Sequence, residues 1–225
     1  MLRRFPAIKV ACITDFSAWR FEAFGNKVTL IRSGIGVNKA ARAASAAAAL
    51  NPQAIISAGF CGALSPEAAT GETFLAEKLY SYSSESITGM VTPDPELAVR
   101  ICAGLRKATF ITSDEIIDKA HISRLLPDPA AVNLLDMESS SIAAVCRSNG
   151  IKFAAIRSVS DTAEYDPCWL FRRICDNGFN ISMVKLTASL IKSPSLLLEL
   201  LQLSKNAGIA GKSLARAIEQ TLERI

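Results

Sequence analysis

The chain has 225 residues, half of them apolar and a fifth charged, with a net charge of +4. That size and balance suit one domain, 1–225, with a sizeable core. Its basic residues are scattered singles and pairs such as Arg3-Arg4 and Arg172-Arg173, which speaks against a nucleic-acid footprint.

Cys12, Cys61, Cys102, Cys146, Cys168 and Cys175 form no CxxC pair, and most lie in apolar contexts. They fit reduced thiols in a cytoplasmic protein rather than a disulfide scaffold. His121 is the single histidine, in a polar stretch with no ligand cluster around it, so no metal site is expected. There is no GxSxG nucleophile elbow. No run is apolar for long enough to span a bilayer, and the opening Met1–Pro6 has no signal-peptide core.

In chain order, Lys9–Thr14 reads as a strand, and Trp19–Phe24 and Lys27–Arg32 as a hairpin about Gly25-Asn26. Asn38 is placed to cap an alanine-rich helix over Lys39–Leu50, which Asn51-Pro52 ends. Ala54–Ser57 is a short apolar strand running into a glycine segment, Gly59-Phe60-Cys61-Gly62. Strands follow over Thr73–Leu79, Ala108–Thr112, Val132–Leu135 and Phe153–Val159, with helices over Pro95–Leu105 and Ser139–Ser148. Asn149-Gly150 stops the second of these helices. From Asn177 onward the pattern is helical, divided at Ser193-Pro194, with a leucine-rich tail at about 194–225. That tail is either a core or oligomer helix or a surface for lipid. Alternating strands and helices, with glycines or acids at strand ends, predict an α/β layered domain whose ligand sits at those ends.

Three strand ends are candidates for chemistry. At Ser33-Gly34-Ile35-Gly36, the glycines allow either close backbone approach to an anion or sugar, or only a tight turn. Gly59 suggests close backbone approach to a ligand, or only a strand-to-loop bend. The third is the pair Asp136-Met137-Glu138 and Ser160-Asp161. One helix of about a dozen residues joins their strands, so a right-handed crossover would make those strands parallel and close, with both acids on one sheet edge. Two carboxyls there can divide labour, one accepting sugar hydroxyls and one serving as general acid. Alternatively, Glu138 only complements a helix N-terminus and Asp161 caps a loop. The dinucleotide fingerprint is absent, which disfavours a redox enzyme.

SGIG at 33–36, ISAGFCGALSP at 56–66, TSDEII at 112–117, LLDMESSSIAAVC at 134–146 and IRSVSDTAE at 156–164 carry a family likeness. The chain resembles the purine nucleoside phosphorylase/uridine phosphorylase superfamily. It looks closest to the methylthioadenosine/S-adenosylhomocysteine nucleosidases and the phosphorylase-like proteins of hopanoid biosynthesis. The resemblance implies a three-layer α/β/α sandwich with a mixed, partly closed sheet, commonly assembled as a homodimer or larger oligomer. It implies N-glycosidic cleavage of a purine nucleoside without a cofactor, with inorganic phosphate as co-substrate if the reaction is phosphorolysis. By the same likeness, Asp161 matches the acid that protonates the purine N7, and Ser160 orients it. Glu138 holds the ribose hydroxyls, Met137 packs on the sugar, and Ile116 and Ile117 line the base.

Two departures stand beside it. The family's opening strand, followed in the nucleosidases by a water-activating glutamate, is expected to be missing ahead of Met1. Ser57 and Phe60 stand where phosphorolytic members hold phosphate. Phe60 and the leucine-rich tail suggest a bulky apolar 5′-substituent, such as an adenosylated hopanoid, and peripheral lipid contact. The alternative is a nucleoside-binding member with impaired catalysis.

Overall fold

The structure, a computed structural model, describes residues 5–6, 8–10, 13, 15–101, 104–176 and 178–225. Cys12, Thr14 and Cys102 lie outside them, and of the first expected strand β1 (Ile8–Val10) is seen. It pairs antiparallel with β2 (Ser17–Ala23), which pairs with β3 (Asn26–Arg32) in a three-stranded sheet. The hairpin turn is centred one residue earlier than expected. Phe24 and Gly25 both have positive φ, 53° and 82°, and Asn26 already pairs with Ala23. Two left-handed residues give the primed turn that matches strand twist.

Helix α1 (Val37–Ala48) begins two residues before the expected start. Asn38 lies inside its first turn and does not cap it; Gly36 occupies the cap position with φ 101°. Asn51 ends the helical region with φ 50°. The glycine segment at 59–62 is not a loop: β4 runs unbroken from Ala54 to Ala63 alongside β9 (Lys152–Asp161). The other strands are β5 (Thr73–Ser83), β6 (Ser86–Val91), β7 (Arg106–Ser113) and β8 (Asn133–Asp136).

The second sheet has the order β6-β5-β7-β8-β4-β9, and a further antiparallel pairing of Thr73–Leu75 with β9 partly closes it. Strands β5, β7 and β8 run parallel, as do β4 and β9; the two groups meet antiparallel. The mixed, partly closed sheet is therefore as expected. The expected parallel, neighbouring pair of acid-bearing strands is not: β4 lies between β8 and β9, antiparallel to the first and parallel to the second.

Period-two alternation along β9 divides the core. Phe153, Ala155 and Val159 pack with Phe74, Phe110, Leu134 and, from α4 (Ser139–Ser148), Ala143 and Cys146. Ala154 and Ile156 pack on the other face with Leu97 and Ile101 of α2 (Pro95–Ile101) and Ala217, Ile218 and Leu222 of α7 (Leu196–Leu222). Of the expected Pro95–Leu105 helix, Pro95–Ile101 is helical and Gly104 and Leu105 are not, while 102–103 lie outside the described residues. The buried alanines of α1 keep its inner face small, which allows close approach to a neighbouring helix.

Strand β6 and the short helices α3 (Lys119–Ser123) and α5 (Cys168–Ile174) were not anticipated. The tail is helical from Met183: α6 (Met183–Lys192) follows a turn tied by a Cys175–Ile181 bridge. Leu196 is buried, and Leu200 and Leu203 pack beside it against Leu170 and Ile174, whereas Leu197, Leu198 and Leu201 are exposed. No helix among the described residues is long and apolar enough to cross a membrane. Cys61, Cys146, Cys168 and Cys175 are buried free thiols.

Phe110 is fully buried at the centre of the first core cluster. Phe110→Ala should therefore lower unfolding free energy by about 3–5 kcal/mol in urea titration. A loss under about 1 kcal/mol would mean that this cluster does not carry the fold.

Candidate active site

Arg157 is the only charged residue in the mostly apolar run of β9 from Phe153 to Val159. It is 1% exposed. A buried guanidinium requires charged partners. Its Nε lies 2.9 Å from Asp136 Oδ2, off the axis of a straight hydrogen bond, so charge holds that pair. Its Nη2 lies 3.6 Å from Glu138 Oε2.

Asp136 ends β8 and is fully engaged. Its Oδ1 accepts from Thr112 Oγ1 at 2.7 Å and from the Glu138 and Ser139 amides at 3.3 Å; the Ser139 hydroxyl donates to Oδ2. Glu138 takes the N-cap position of α4. Its Oε1 accepts the Gly36 amide at 3.1 Å. Burial, then the Asp136 charge, raises the Glu138 carboxyl above its ordinary range, against Arg157 and the Gly36 and Met137 amides.

Asp161 ends β9 beyond a register shift. Gly59, Phe60 and Cys61 oppose Arg157, Ser158 and Val159, but Gly62 opposes Asp161, so Ser160 is skipped. A bulge of this kind re-aims a strand's side chains. Ser160 Oγ donates to Asp161 Oδ1 at 2.7 Å and also lies 3.2 Å from the Cys61 carbonyl. Lys119, 5% exposed, brings Nζ to 2.5 Å from Asp161 Oδ2. The same ammonium donates to the carbonyls of Asp161, Thr162 and Tyr165 at 3.2, 2.7 and 3.0 Å.

Asp161, Ser160, Glu138 and Met137 line one cavity of about 2650 Å³, as do Phe60, Ile116, Ile117, Gly34 and Gly59. This is well above the usual few hundred to thousand Å³ of a small-molecule site. It extends along β3 and along the edge of β4 opposite β9.

Several expected roles change. Gly59 sits within a strand rather than in a loop, with the Arg157 guanidinium in ordinary contact 3.4 Å from where its Cβ would be. Gly36 gives its amide to Glu138, and the Phe179 ring covers its α-carbon. Gly34 has φ 82° and the Lys39 side chain over it. The Ile116 carbonyl is taken by Arg172, and the Ile117 side chain belongs to a core cluster with Tyr82 and Ile122. Phe60 remains 44% exposed. His121 is half-exposed, beside Tyr82 and Glu85.

Arg157 and Lys119 were missed. The signal for Arg157 was a lone charge inside an apolar strand. Lys119 had only an N-capping Asp118 before it, which says nothing of its distant partner.

The family model of the Phosphorylase superfamily matches residues 3–173. The chain belongs to the phosphorylase superfamily. Within this superfamily it is 28% identical to the 5′-methylthioadenosine/S-adenosylhomocysteine nucleosidase of Marinomonas sp. (strain MWYL1), across 66% of this chain and 73% of that protein. Identity to the nucleosidase of the same name from Listeria innocua is 27%, across 74% and 82%. In fold, the chain superposes on the Neisseria meningitidis nucleosidase in complex with methylthio-immucillin-A. That match has a TM-score of 0.74 and 18% identity, and covers all of this chain and 93% of the other. It also superposes on futalosine hydrolase of Helicobacter pylori, with a TM-score of 0.70 and 13% identity, across 98% and 88%. The superfamily fold is thus shared over the whole chain.

Removing Arg157 strands two buried carboxyls. Arg157→Met should cost about 3–5 kcal/mol at neutral pH in urea unfolding, and a loss below about 1 kcal/mol would contradict the ionic core. Glu138 gives a pH prediction. Its carboxyl is raised on folding, so between its unfolded and folded titrations the native state binds more protons and stability falls as pH rises. Glu138→Gln should remove that fall, and parallel stability–pH curves for the two proteins would contradict it.

Proposed function

We propose that the chain is a nucleosidase or nucleoside phosphorylase that cleaves the N-glycosidic bond of a purine, adenosine-type nucleoside. The observation that carries this reading is the opening of two strand-end carboxyls, Glu138 and Asp161, into one cavity, each with its own set of partners. Glu138 is steered by Arg157 and the Gly36 amide and accepts the ribose hydroxyls, with Met137 against the sugar. Asp161, oriented by Ser160, donates its proton to the purine N7. The base then leaves with the electron pair of the C1′–N9 bond, and positive charge develops on the ribosyl carbon. Water or phosphate takes that carbon. Relatives that carry the nucleosidase name support the reaction class.

The finer reading is a bulky apolar 5′-substituent, such as an adenosylated hopanoid. Its support is the apolar part of the cavity lining, which includes Phe60, Phe171, Phe179, Leu200 and Leu203. Homodimer assembly and lipid contact through α6 and α7 belong to the same proposal, supported by the exposed Met183, Val184, Ile191 and Leu198. Sedimentation velocity tests the dimer and liposome flotation the lipid contact; a monomer that stays with the soluble fraction would refute both.

The deciding assay is adenine release from methylthioadenosine, adenosine and a long-chain 5′-alkyl adenosine, with and without phosphate. Phosphate-dependent release makes this a phosphorylase, and phosphate-independent release makes it a nucleosidase. Preference for the alkyl substrate supports the apolar wall as its site, and efficient cleavage of methylthioadenosine alone overturns that part. No release from any substrate, with nucleoside binding retained, would leave a binding protein. Asp161→Asn should lower turnover by about 10²-fold or more, while nucleoside affinity by calorimetry changes little. Unchanged turnover would remove Asp161 from the mechanism.

A further inference from the structure

We propose that Lys119 is a positioning residue for leaving-group protonation, holding the Asp161 carboxyl in place and stabilising the carboxylate formed when its proton departs. The proposal rests on the reading of Asp161 as the leaving-group acid. Three observations support it. First, Lys119 Nζ lies 2.5 Å from Asp161 Oδ2, with both side chains nearly inaccessible to solvent. Among the described residues it is the cation paired with Asp161. Other titratable groups around the pair include Asp166 and Glu164, and the Cys61 thiol and Tyr165 phenol, both raised chiefly by burial.

Second, the ammonium does not move freely toward its partner. Its bonds to the carbonyls of Asp161, Thr162 and Tyr165 tie it to the loop that follows β9, and the Lys119 amide donates to Asp166 Oδ2 at 2.7 Å. The charge is therefore set in position before substrate arrives. A fixed charge of this kind needs no reorganisation during reaction and acts strongly where water is excluded.

Third, the sheet is hollowed for the pair. A Cβ on Gly62 would lie 2.6 Å from Asp161 Oδ2, 2.9 Å from Lys119 Cε and 3.2 Å from its Nζ. Contacts below 3.0 Å do not occur for real Cβ atoms, so Asp161 and Lys119 occupy space that any other residue at 62 would fill.

In the step itself, the Asp161 O–H bond breaks and an N7–H bond forms as the C1′–N9 electron pair passes to the base. Asp161 becomes a carboxylate against the ammonium. Lys119 keeps all its protons, and solvent reprotonates Asp161 before the next turnover.

The test compares two leaving groups on the full-length protein. One substrate is the adenine nucleoside that the wild-type protein cleaves. The other is the 4-nitrophenyl riboside with the same 5′-group, whose nitrophenolate departs without a proton. Lys119→Met should lower kcat for adenine release by about 10²-fold, with KM little changed and nitrophenolate release nearly intact. Asp161→Asn should show the same selectivity. Equal loss on both substrates would reduce Lys119 to a structural strut and overturn the proposal. So would wild-type adenine release by Lys119→Met while Asp161→Asn is crippled. If Asp161→Asn releases adenine normally, it is the reading of Asp161 that fails. Should Lys119→Met not fold, Lys119→Ala is assayed with added ethylammonium. Recovery of adenine release supports the proposal, and a rate indifferent to the amine overturns it.

Discussion

A guanidinium buried in the middle of a strand cannot stay unpaired, because desolvating a lone charge costs more than the net stability of most domains. Arg157 meets that constraint with two carboxylates from another part of the chain, Asp136 at the end of β8 and Glu138 at the start of α4. Much of the site follows from this. Gly59 lies directly against the guanidinium, which comes within 3.4 Å of where a Cβ would be. Glu138 turns its second oxygen to the Gly36 amide, which draws the 33–36 segment to the same place. Thr112 bonds both Asp136 and the Ser140 amide, so the end of β7 is locked to the start of α4.

The second carboxyl is held by a separate arrangement on the other side of β4. The bulge that skips Ser160 sets Asp161 opposite Gly62, and Lys119 enters from α3 to meet it. Strand β4 therefore lies between the two charged clusters, with Gly59 against one and Gly62 leaving room for the other. Each cluster sets a cation against its carboxyls, so an acid that loses its proton there does not become an isolated ion. The result is a polar floor under a cavity whose remaining walls are largely apolar. Phe60 is one of these walls, and its ring packs 3.6 Å from the position of a Cβ on Gly211 of α7.

How much of this was legible depends on how far each signal reaches along the chain. Helix α4 was read to the residue, because its start after an acid and its stop at Asn149-Gly150 are local. The strands ending at Asp136 and Asp161 were placed for the same reason. The glycines at 59–62 were misread as a loop, since glycine signals freedom wherever it stands. At Gly62 it is the Asp161–Lys119 pair filling the space beside it that explains a glycine within a strand. The leucine-rich tail offered a choice between core and surface, and α7 does both. Leu196, Leu200 and Leu203 face inward at helical spacing, and Leu197, Leu198 and Leu201 face out.

By itself, the sequence determined the class of fold, the order of most elements and the two strand-end acids, together with their family likeness. Those are properties of short windows, of hydrophobic period and of motif order, and they survive without knowledge of partners. Tertiary structure alone decided that β4 separates the acid-bearing strands, that Arg157 joins Asp136 to Glu138, and that Lys119 rather than any neighbour in sequence is paired with Asp161. The reason is that a buried charge is satisfied by whatever the fold brings within a few ångströms, and in each of these pairings that distance is closed by sheet order and register.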